Sequence, residues 1–170
     1  LESEGLYALT VNAFPYGDFH AERVKHAVYS PDWSTQERLR YTLDVAEILA
    51  ALSQANRDLS ISTLPGGYGA LQGEERRQTI ENIGAAACGL AAIEARTGVR
   101  IRLAVEPEPG CAFEHIGPLL AFFEQEPIVG ADAQLRRLHL GLRSDVCHHA
   151  AELEDPPAWL DAYLDRRISV

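Results

Sequence analysis

The sequence has few cysteines, no long apolar run and no cluster of basic residues. Its three cysteines have no paired spacing, which argues against a disulfide framework and favours a reducing, cytoplasmic compartment. No apolar stretch reaches the roughly 18 residues that a membrane helix needs, so we expect no membrane insertion. Acidic residues outnumber basic ones by 25 to 15, for a net charge of −10. This balance disfavours binding to nucleic acid.

The chain has the size and apolar content of one domain, residues 1–170, with 46% hydrophobic residues. Four short apolar runs predict strands of a parallel sheet, at residues 6–14, 59–65, 99–107 and 138–146. Helical spacing predicts helices between and after them, at residues 34–54, 74–96, 112–125 and 155–167. The final "RRISV" resembles the start of a fifth strand.

Local signals mark two of these helices and one loop. The "STQE" segment predicts Ser34 as an N-cap with Glu37 completing a capping box, and Gly98 predicts a helix end. The loop "PGGYGALQG", residues 65–73, contains GxGxxxG. That spacing is one residue longer than the dinucleotide-binding fingerprint, so we interpret it as a flexible loop between strand and helix.

Alternating strands and helices indicate right-handed crossovers and an α/β fold. Two architectures fit, a doubly wound open sheet and a (β/α)8 barrel. A complete barrel takes roughly 250 residues, so this chain would be about half to two-thirds of one. In both architectures ligands bind at the carboxyl ends of the strands.

Polar side chains follow all four predicted strands at that end. Glu106 ends the third strand, and Pro107 stops regular pairing there. A buried carboxylate needs a positive partner, and for Glu106 a metal ion and an arginine salt bridge are equally compatible. Asp145 and His148 form a D-x-x-H pattern after the fourth strand. If the chain turns there, both can face Glu106, and this donor set suits Mn2+, Mg2+, Co2+ or Zn2+.

The neighbouring candidates have weaker signals. After the first strand, Asn12, Tyr16, Asp18 and His20 can contact a polyol, but an ordered loop packed by its own aromatic rings explains the segment equally well. Three further residues have simpler expected roles. We expect packing for Cys147, a surface or supporting position for His149 and a core position for Cys88, and we leave Cys111 open.

Glu106 and the D-x-x-H pattern resemble the xylose-isomerase-like barrel superfamily, which holds sugar isomerases, sugar phosphate isomerases and epimerases, and the endonuclease IV enzymes. More narrowly, six segments resemble, in the same order, the EboE family of metabolite traffic proteins. They are "NAFPYGDFH", "VKHAVYSPDW", "ERLRYT", "SISTLP", "EPEP" and "DVCH". This similarity runs from residue 5 to about residue 157. The "RSD" segment before Asp145 departs from it, because an apolar pair is expected there.

The resemblance implies a TIM barrel, of which the chain is a segment from about strand 2 to the start of strand 6. It implies that Glu106 and Asp145 bind a divalent metal, and that Glu106 and His148 are catalytic. Substrate contacts are expected from Asn12, Tyr16, His20, Glu108 and His148. Ligands from later strands have no counterpart, so we expect an incomplete site and weak metal binding. The open sheet edges and an apolar inner face would favour a homo-oligomer or pairing with the missing barrel segments.

The function so implied is that of a metal-dependent sugar (phosphate) isomerase- or epimerase-like barrel, which acts on or binds a small polyhydroxy or carbonyl metabolite. The alternative is a non-catalytic, EboE-like protein of metabolite traffic or export. DNA repair of the endonuclease IV type ranks last, because the chain is acidic and lacks that family's many histidines.

Overall fold

The computed structural model describes residues 4–16, 25–53, 58–125 and 133–165. Four strands form one parallel sheet in chain order: β1 (Thr10–Asn12), β2 (Asp58–Thr63), β3 (Arg100–Val105) and β4 (Leu140–Leu142). The α/β class and the order of the strands are confirmed. Closure into a (β/α)8 barrel stays a prediction. The expected fifth strand lies outside the described residues.

Six α-helices are described, together with a 3-10 helix at Lys25–Tyr29. Four of them match predicted helices: α1 (Gln36–Ala51), α2 (Gly73–Thr97), α3 (Ile116–Gln125) and α6 (Pro156–Asp165). Two short ones were not predicted, α4 (Ala133–His139) and α5 (Val146–Ala151). Within the described part of the chain, no helix combines the length and apolar character needed to cross a membrane.

The start of α1 differs by one residue from the prediction. Thr35 is the N-cap, and its hydroxyl accepts a hydrogen bond from the Arg38 N–H at 3.3 Å. Ser34 instead donates its N–H and its hydroxyl to Asp32 Oδ1. Because both polar groups of Ser34 bind Asp32, the hydroxyl of the next residue, Thr35, caps the helix instead. The predicted end of α2 is confirmed, since Gly98 has the left-handed φ of 73° that favours glycine.

The sheet has one apolar face and one polar face. Leu59, Ile61, Ile101, Leu103 and Val105 alternate along β2 and β3 and are buried in the core that includes α1 and α2. Each such side chain contributes about 1.5–3 kcal/mol when fully buried. This face therefore anchors the helices and fixes the strand register.

The opposite face is polar, which corrects the expectation of an apolar inner face. The Ser60 hydroxyl donates to Thr10 Oγ1 at 3.0 Å, and the Ser62 hydroxyl donates to Asn12 Oδ1 at 3.2 Å. A concave pocket of about 490 Å³ lies along this face. Its lining comprises Leu9, Thr10, Asp58, Leu59, Ser60, Ser62, Arg102, Ala104, Gly141, Leu142, Arg143 and Ser144.

The first part of the loop at residues 65–73 is buried and hydrogen-bonded, whereas residues 68–73 are exposed or half-buried. The flexibility expected of the loop stays a prediction. Gly66 O accepts from the Trp33 N–H at 2.9 Å, and Gly67 O accepts from the Ala112 N–H at 2.9 Å. A Cβ atom on Gly67 would lie 2.6 Å from Asp32 Oδ2, so only glycine fits at this close approach. The loop thus fixes the chain at the carboxyl end of β2 without forming a phosphate cradle.

Arg38 on α1 secures the segment that leaves β1. Its guanidinium is fully buried and donates to the carbonyl oxygens of Pro31 at 2.7 Å, Ala13 at 2.8 Å and Phe14 at 3.1 Å. Burial lowers the pKa of Arg38 to about 10, which leaves it charged at neutral pH. Because three backbone carbonyls share one cation, the exit of β1 is held against the start of α1.

Candidate functional site

Glu106, Asp145 and His148 meet at the carboxyl end of β3 and β4. One ligand atom from each residue lies within 4.8 Å of those of the other two, which makes a possible metal-binding cluster. The strands explain this meeting, because parallel neighbours bring their carboxyl ends to the same edge of the sheet. The predicted pairing of Glu106 with the D-x-x-H pattern is thereby found in the structure.

Glu106 is held rigidly at the end of β3. Its N–H donates to Thr63 O at 3.0 Å, and the side chain is only 8% exposed. Burial raises the pKa of the Glu106 carboxyl, while Arg143 and His148 lower it less. Oε2 lies 3.2 Å from Arg143 Nε, and Oε1 lies 3.8 Å from His148 Nδ1. The arginine salt bridge therefore exists, but it engages a single oxygen of the carboxylate.

Asp145 is the N-cap of α5. Its Oδ1 accepts from the Cys147 N–H at 2.8 Å and from the His148 N–H at 3.4 Å. Burial on its own raises the pKa of Asp145, but the Cys147 N–H and the neighbouring His148 outweigh it, and the pKa is lowered. Oδ2 lies 3.9 Å from His148 Nε2. The cap thus uses one oxygen and leaves the other beside the cluster.

His148 is oriented by the backbone of β3. Its Nδ1 lies 2.9 Å from Pro107 O, and because a carbonyl can only accept, Nδ1 carries the proton of this hydrogen bond. In the neutral ring Nε2 is then an acceptor, yet Glu108 Oε2 lies 3.1 Å away. The same pair of contacts occurs at His139, whose Nδ1 lies 2.9 Å from Ile101 O and whose Nε2 lies 3.2 Å from Glu94 Oε2. A proton on the ring or a cation joins the two atoms of such a contact.

Glu108 connects the cluster to three aromatic rings. Tyr29 donates its hydroxyl to Glu108 Oε1 at 3.3 Å. The Tyr29 ring stacks on Tyr68 at 5.0 Å and meets the edge of Phe14 at 5.6 Å. Burial and the nearby Glu108 carboxylate raise the pKa of Tyr29 to about 12, so this phenol stays a donor. A hydroxylated ligand at the cluster would therefore have aromatic walls beside it.

The other predicted substrate contacts are distributed over the same end of the sheet. Asn12 lies on the polar face, where its Oδ1 accepts from the Phe14 N–H at 2.9 Å. Tyr16 points to α1 and donates to Glu37 Oε1 at 2.8 Å. These two residues belong to β1 and its exit, two strands from the metal cluster. Their predicted role stays a prediction, and Asp18 and His20 lie outside the described residues.

The expected surface position of His149 and the expected packing of Cys147 and Cys88 are wrong, while a supporting role of His149 stays a prediction. His149 is buried, stacks on Trp159 at 4.6 Å and contacts Glu154 Oε2 through Nδ1 at 2.7 Å. Cys147 and Cys88 are both exposed rather than packed. In each case the face of the helix on which the residue lies determines whether its side chain is buried, because residues one position apart on a helix point in different directions. Cys111, which was left open, is buried, and burial raises its pKa to about 12.

Sequence reasoning missed Arg143 and Tyr29 as parts of the site. Arg143 had one available signal, since "RSD" departs from the apolar pair expected before Asp145. Tyr29 had none, because it lies 79 residues from Glu108 in the chain. Its place depends on how the segment before α1 folds back over the sheet, and no local pattern encodes that path.

No family model matches the chain, and no curated protein shows significant similarity to it.

Proposed function

We propose that the chain belongs to a metal-dependent barrel protein of the sugar (phosphate) isomerase or epimerase type, which acts on or binds a small polyhydroxy or carbonyl metabolite. The observation that carries the proposal is the convergence of Glu106, Asp145 and His148 within 4.8 Å at the carboxyl end of a parallel sheet. Ligands bind at this edge in both barrels and open α/β sheets. The resemblance of the motifs to the xylose-isomerase-like superfamily supports the same proposal.

The residues present fit a divalent cation. Glu106 Oε1 and Asp145 Oδ2 are the oxygens that neither the Arg143 contact nor the helix cap uses. Carboxylates with one imidazole favour Mn2+, Mg2+, Co2+ or Zn2+ over softer metals. Mixed oxygen and nitrogen donors that follow two adjacent strands thus suit one small cation.

The chain's own residues then have separate roles in the proposed chemistry. A bound divalent ion would polarise neighbouring hydroxyl and carbonyl oxygens of the substrate. His148 is held by Pro107 O, so its imidazole can orient a hydroxyl group without rotating away. Burial raises the pKa of the Glu106 carboxyl, so it can exchange a proton with substrate more readily than an exposed carboxylate. The stacked rings of Tyr29 and Tyr68 lie beside Glu108 and offer an aromatic surface to a ligand.

A second function, binding without turnover, is favoured by one observation. Among the described residues, each carboxylate of the site already has a partner: Glu106 has Arg143, Glu108 has Tyr29 and His148, and Asp145 has backbone N–H groups. A general base must be available to take a proton. A protein of metabolite traffic would need affinity alone, and the EboE-like motifs agree with that role.

The test measures metal binding and turnover separately. Binding of Mn2+ is followed by electron paramagnetic resonance, which detects weak complexes, in the wild type and in Asp145→Asn. Asparagine keeps the helix cap but removes the charge, so we expect the variant to stay folded and bind at least about tenfold more weakly. Equal Mn2+ binding by both proteins would contradict the metal site.

Turnover is then assayed with a panel of aldoses, ketoses and their phosphates in the presence of Mn2+. Product formation that disappears in Glu106→Gln supports the isomerase or epimerase. Measurable affinity with no product from any compound supports the binding protein instead. The two functions are distinguished by product and not by affinity.

A further inference from the structure

Arg143 belongs both to the surroundings of the metal cluster and to the pocket on the polar face. Its N–H donates to Val105 O at 2.9 Å, so the parallel pairing continues one residue beyond β4. Its Nε lies 3.2 Å from Glu106 Oε2, and the same side chain lines the 490 Å³ pocket. Arg143 is therefore shared by the pocket and the cluster.

The guanidinium of Arg143 has unused donors. A guanidinium carries five N–H groups in a planar fork, and Nε is the nitrogen recorded 3.2 Å from Glu106 Oε2. Within residues 4–16, 25–53, 58–125 and 133–165, no other residue accepts a hydrogen bond from its Nη nitrogens. The side chain is 43% exposed. This fork can receive the two oxygens of a carboxylate or phosphate in the bidentate geometry that arginine favours.

The pocket beside this fork is rich in hydrogen-bonding groups. Hydroxyls of Thr10, Ser60 and Ser62 line it, while small residues at positions 104 and 141 leave room. Ser144 Oγ is buried without a hydrogen-bond partner among the described residues, and so is Arg102 Nε. Buried polar atoms of this kind are normally satisfied. A ligand with several hydroxyl groups would satisfy them.

The two arginines of the pocket differ in their ion-pair partners. Arg102 pairs with Asp58 at 3.2 Å, at the far end of the strands from the cluster. Arg143 pairs with Glu106, a carboxylate that the proposed metal would also neutralise. A divalent ion on Glu106 and Asp145 supplies two positive charges, so these carboxylates no longer depend on the guanidinium as a counter-ion. With the metal bound, Arg143 is thus no longer needed to neutralise Glu106 and is available to bind an anion.

We propose that Arg143 recognises an oxyanion group, a carboxylate or a phosphate, on the polyhydroxy compound that the site binds. The inference rests on the proposed function and adds the charge of the substrate to it. Because the metal takes over the neutralisation of Glu106, metal and anion bind cooperatively. By linkage each tightens the binding of the other by the same factor.

The test titrates the protein with three probes in the presence and absence of Mn2+: D-ribose 5-phosphate, D-gluconate and uncharged D-ribose. We expect at least one anionic probe to bind about tenfold more tightly than D-ribose when Mn2+ is present. Arg143→Gln removes this preference, and Arg143→Lys, which keeps the charge but lacks the fork, restores part of it. The anionic probe that shows the gain identifies the group as carboxylate or phosphate.

Arg102→Gln is the matched control, because it removes an equal charge from the same pocket. It should leave the preference intact. Loss of the preference in Arg102→Gln but not in Arg143→Gln would overturn the inference, as would equal affinities of all three probes for the wild type. Mn2+ affinity is measured in parallel. Absence of Mn2+ binding to the wild type contradicts the proposed function, whereas intact Mn2+ binding with an unchanged preference in Arg143→Gln contradicts the role of Arg143 alone.

Discussion

The two ends of the sheet both carry charged side chains, but only one end is balanced. At the amino end, Asp58 lies 3.8 Å from Arg100 and 3.2 Å from Arg102. Glu94 pairs with Arg100 at 2.8 Å and contacts the buried ring of His139 at 3.2 Å. Two acids meet two arginines and one histidine, so this end needs no further cation.

At the carboxyl end the acids outnumber the cations. Glu106, Glu108 and Asp145 share Arg143 and His148 between them. His148 counts as a cation only when it is protonated. Where each acid has its own arginine, as at the amino end, the charges stabilise the fold. Where several acids share fewer cations than there are acids, as at the carboxyl end, the excess negative charge indicates a binding site for a cation. The following changes test that difference, starting with the largest expected effect.

The first prediction concerns metal binding at the two ends. Glu106→Gln should weaken Mn2+ binding at least about tenfold, or about 1.4 kcal/mol, because a neutral amide oxygen replaces a charged ligand. Asp58→Asn removes one charge at the balanced end and should leave Mn2+ binding unchanged. Paramagnetic resonance of free Mn2+ measures both. Equal weakening by the two variants would mean that overall charge, and not the cluster, attracts the ion.

The second prediction separates the two oxygens of Asp145. Asp145→Ala should lower the free energy of unfolding by about 1 kcal/mol, because the N-cap of α5 loses its acceptor. Asp145→Asn keeps an acceptor oxygen and should lose much less. Urea denaturation of the metal-free variants measures the difference. Similar losses in both would show that the carboxylate charge, and not the cap, stabilises this turn.

The third prediction concerns the cost of burying Glu106. Because burial raises its pKa, the folded state holds the Glu106 proton more tightly than the unfolded state does. Its contribution to stability is therefore fully present below the ordinary pKa of a glutamate and is lost as pH rises through the raised pKa. Metal-free Glu106→Gln should lack this loss and be more stable than the wild type at neutral pH.

Denaturation across a series of pH values checks this sign, and Glu94→Gln is the comparison at the balanced end. Removing the charge of Glu94 leaves Arg100 and His139 without their acid, so stability should fall. A Glu106→Gln variant that is less stable than the wild type at neutral pH would identify the Arg143 salt bridge as structural.

The smallest effect is expected at Asp58. Its side chain is 55% exposed, and exposed ion pairs contribute about 0–1 kcal/mol. Asp58→Asn should therefore change the free energy of unfolding by no more than about 0.5 kcal/mol, and added salt should reduce the difference further. Denaturation at low and high salt measures it. A loss above 1 kcal/mol that resists salt would reveal a more deeply coupled network than the exposure indicates.

The sequence located all four strands but overestimated the length of two of them. The predicted runs 6–14 and 138–146 contain strands of only three residues, Thr10–Asn12 and Leu140–Leu142. The third run was predicted more closely: Val105 is the last residue of β3, and the carboxylate of Glu106 follows it. Helices α4 and α5 escaped prediction because seven and six residues are too few to show a helical period. Asp145 was expected at the end of a strand, but β4 ends three residues earlier at Leu142, and Asp145 is the N-cap of α5.

The metal cluster was predictable and its surroundings were not. Glu106, Asp145 and His148 follow neighbouring strands, so the parallel order alone brings them to one edge. Glu108 and Tyr29 meet although 79 residues separate them in the chain, so their contact depends on tertiary structure, to which the contacts of Arg38 with Ala13 and Pro31 contribute. Local periodicity carries no information about such contacts.

The hydrogen bond from His148 Nδ1 to Pro107 O has a consequence for how this site tolerates mutation. Every amino acid has a carbonyl oxygen, so position 107 can change its side chain without changing which ring nitrogen carries the proton. A slip of β3 by one residue would remove that acceptor and return the imidazole to a mixture of tautomers. Saturation mutagenesis should therefore find that position 107 tolerates many side chains, whereas an insertion beside it should break the contact with His148. This contact depends on strand register and not on the identity of residue 107.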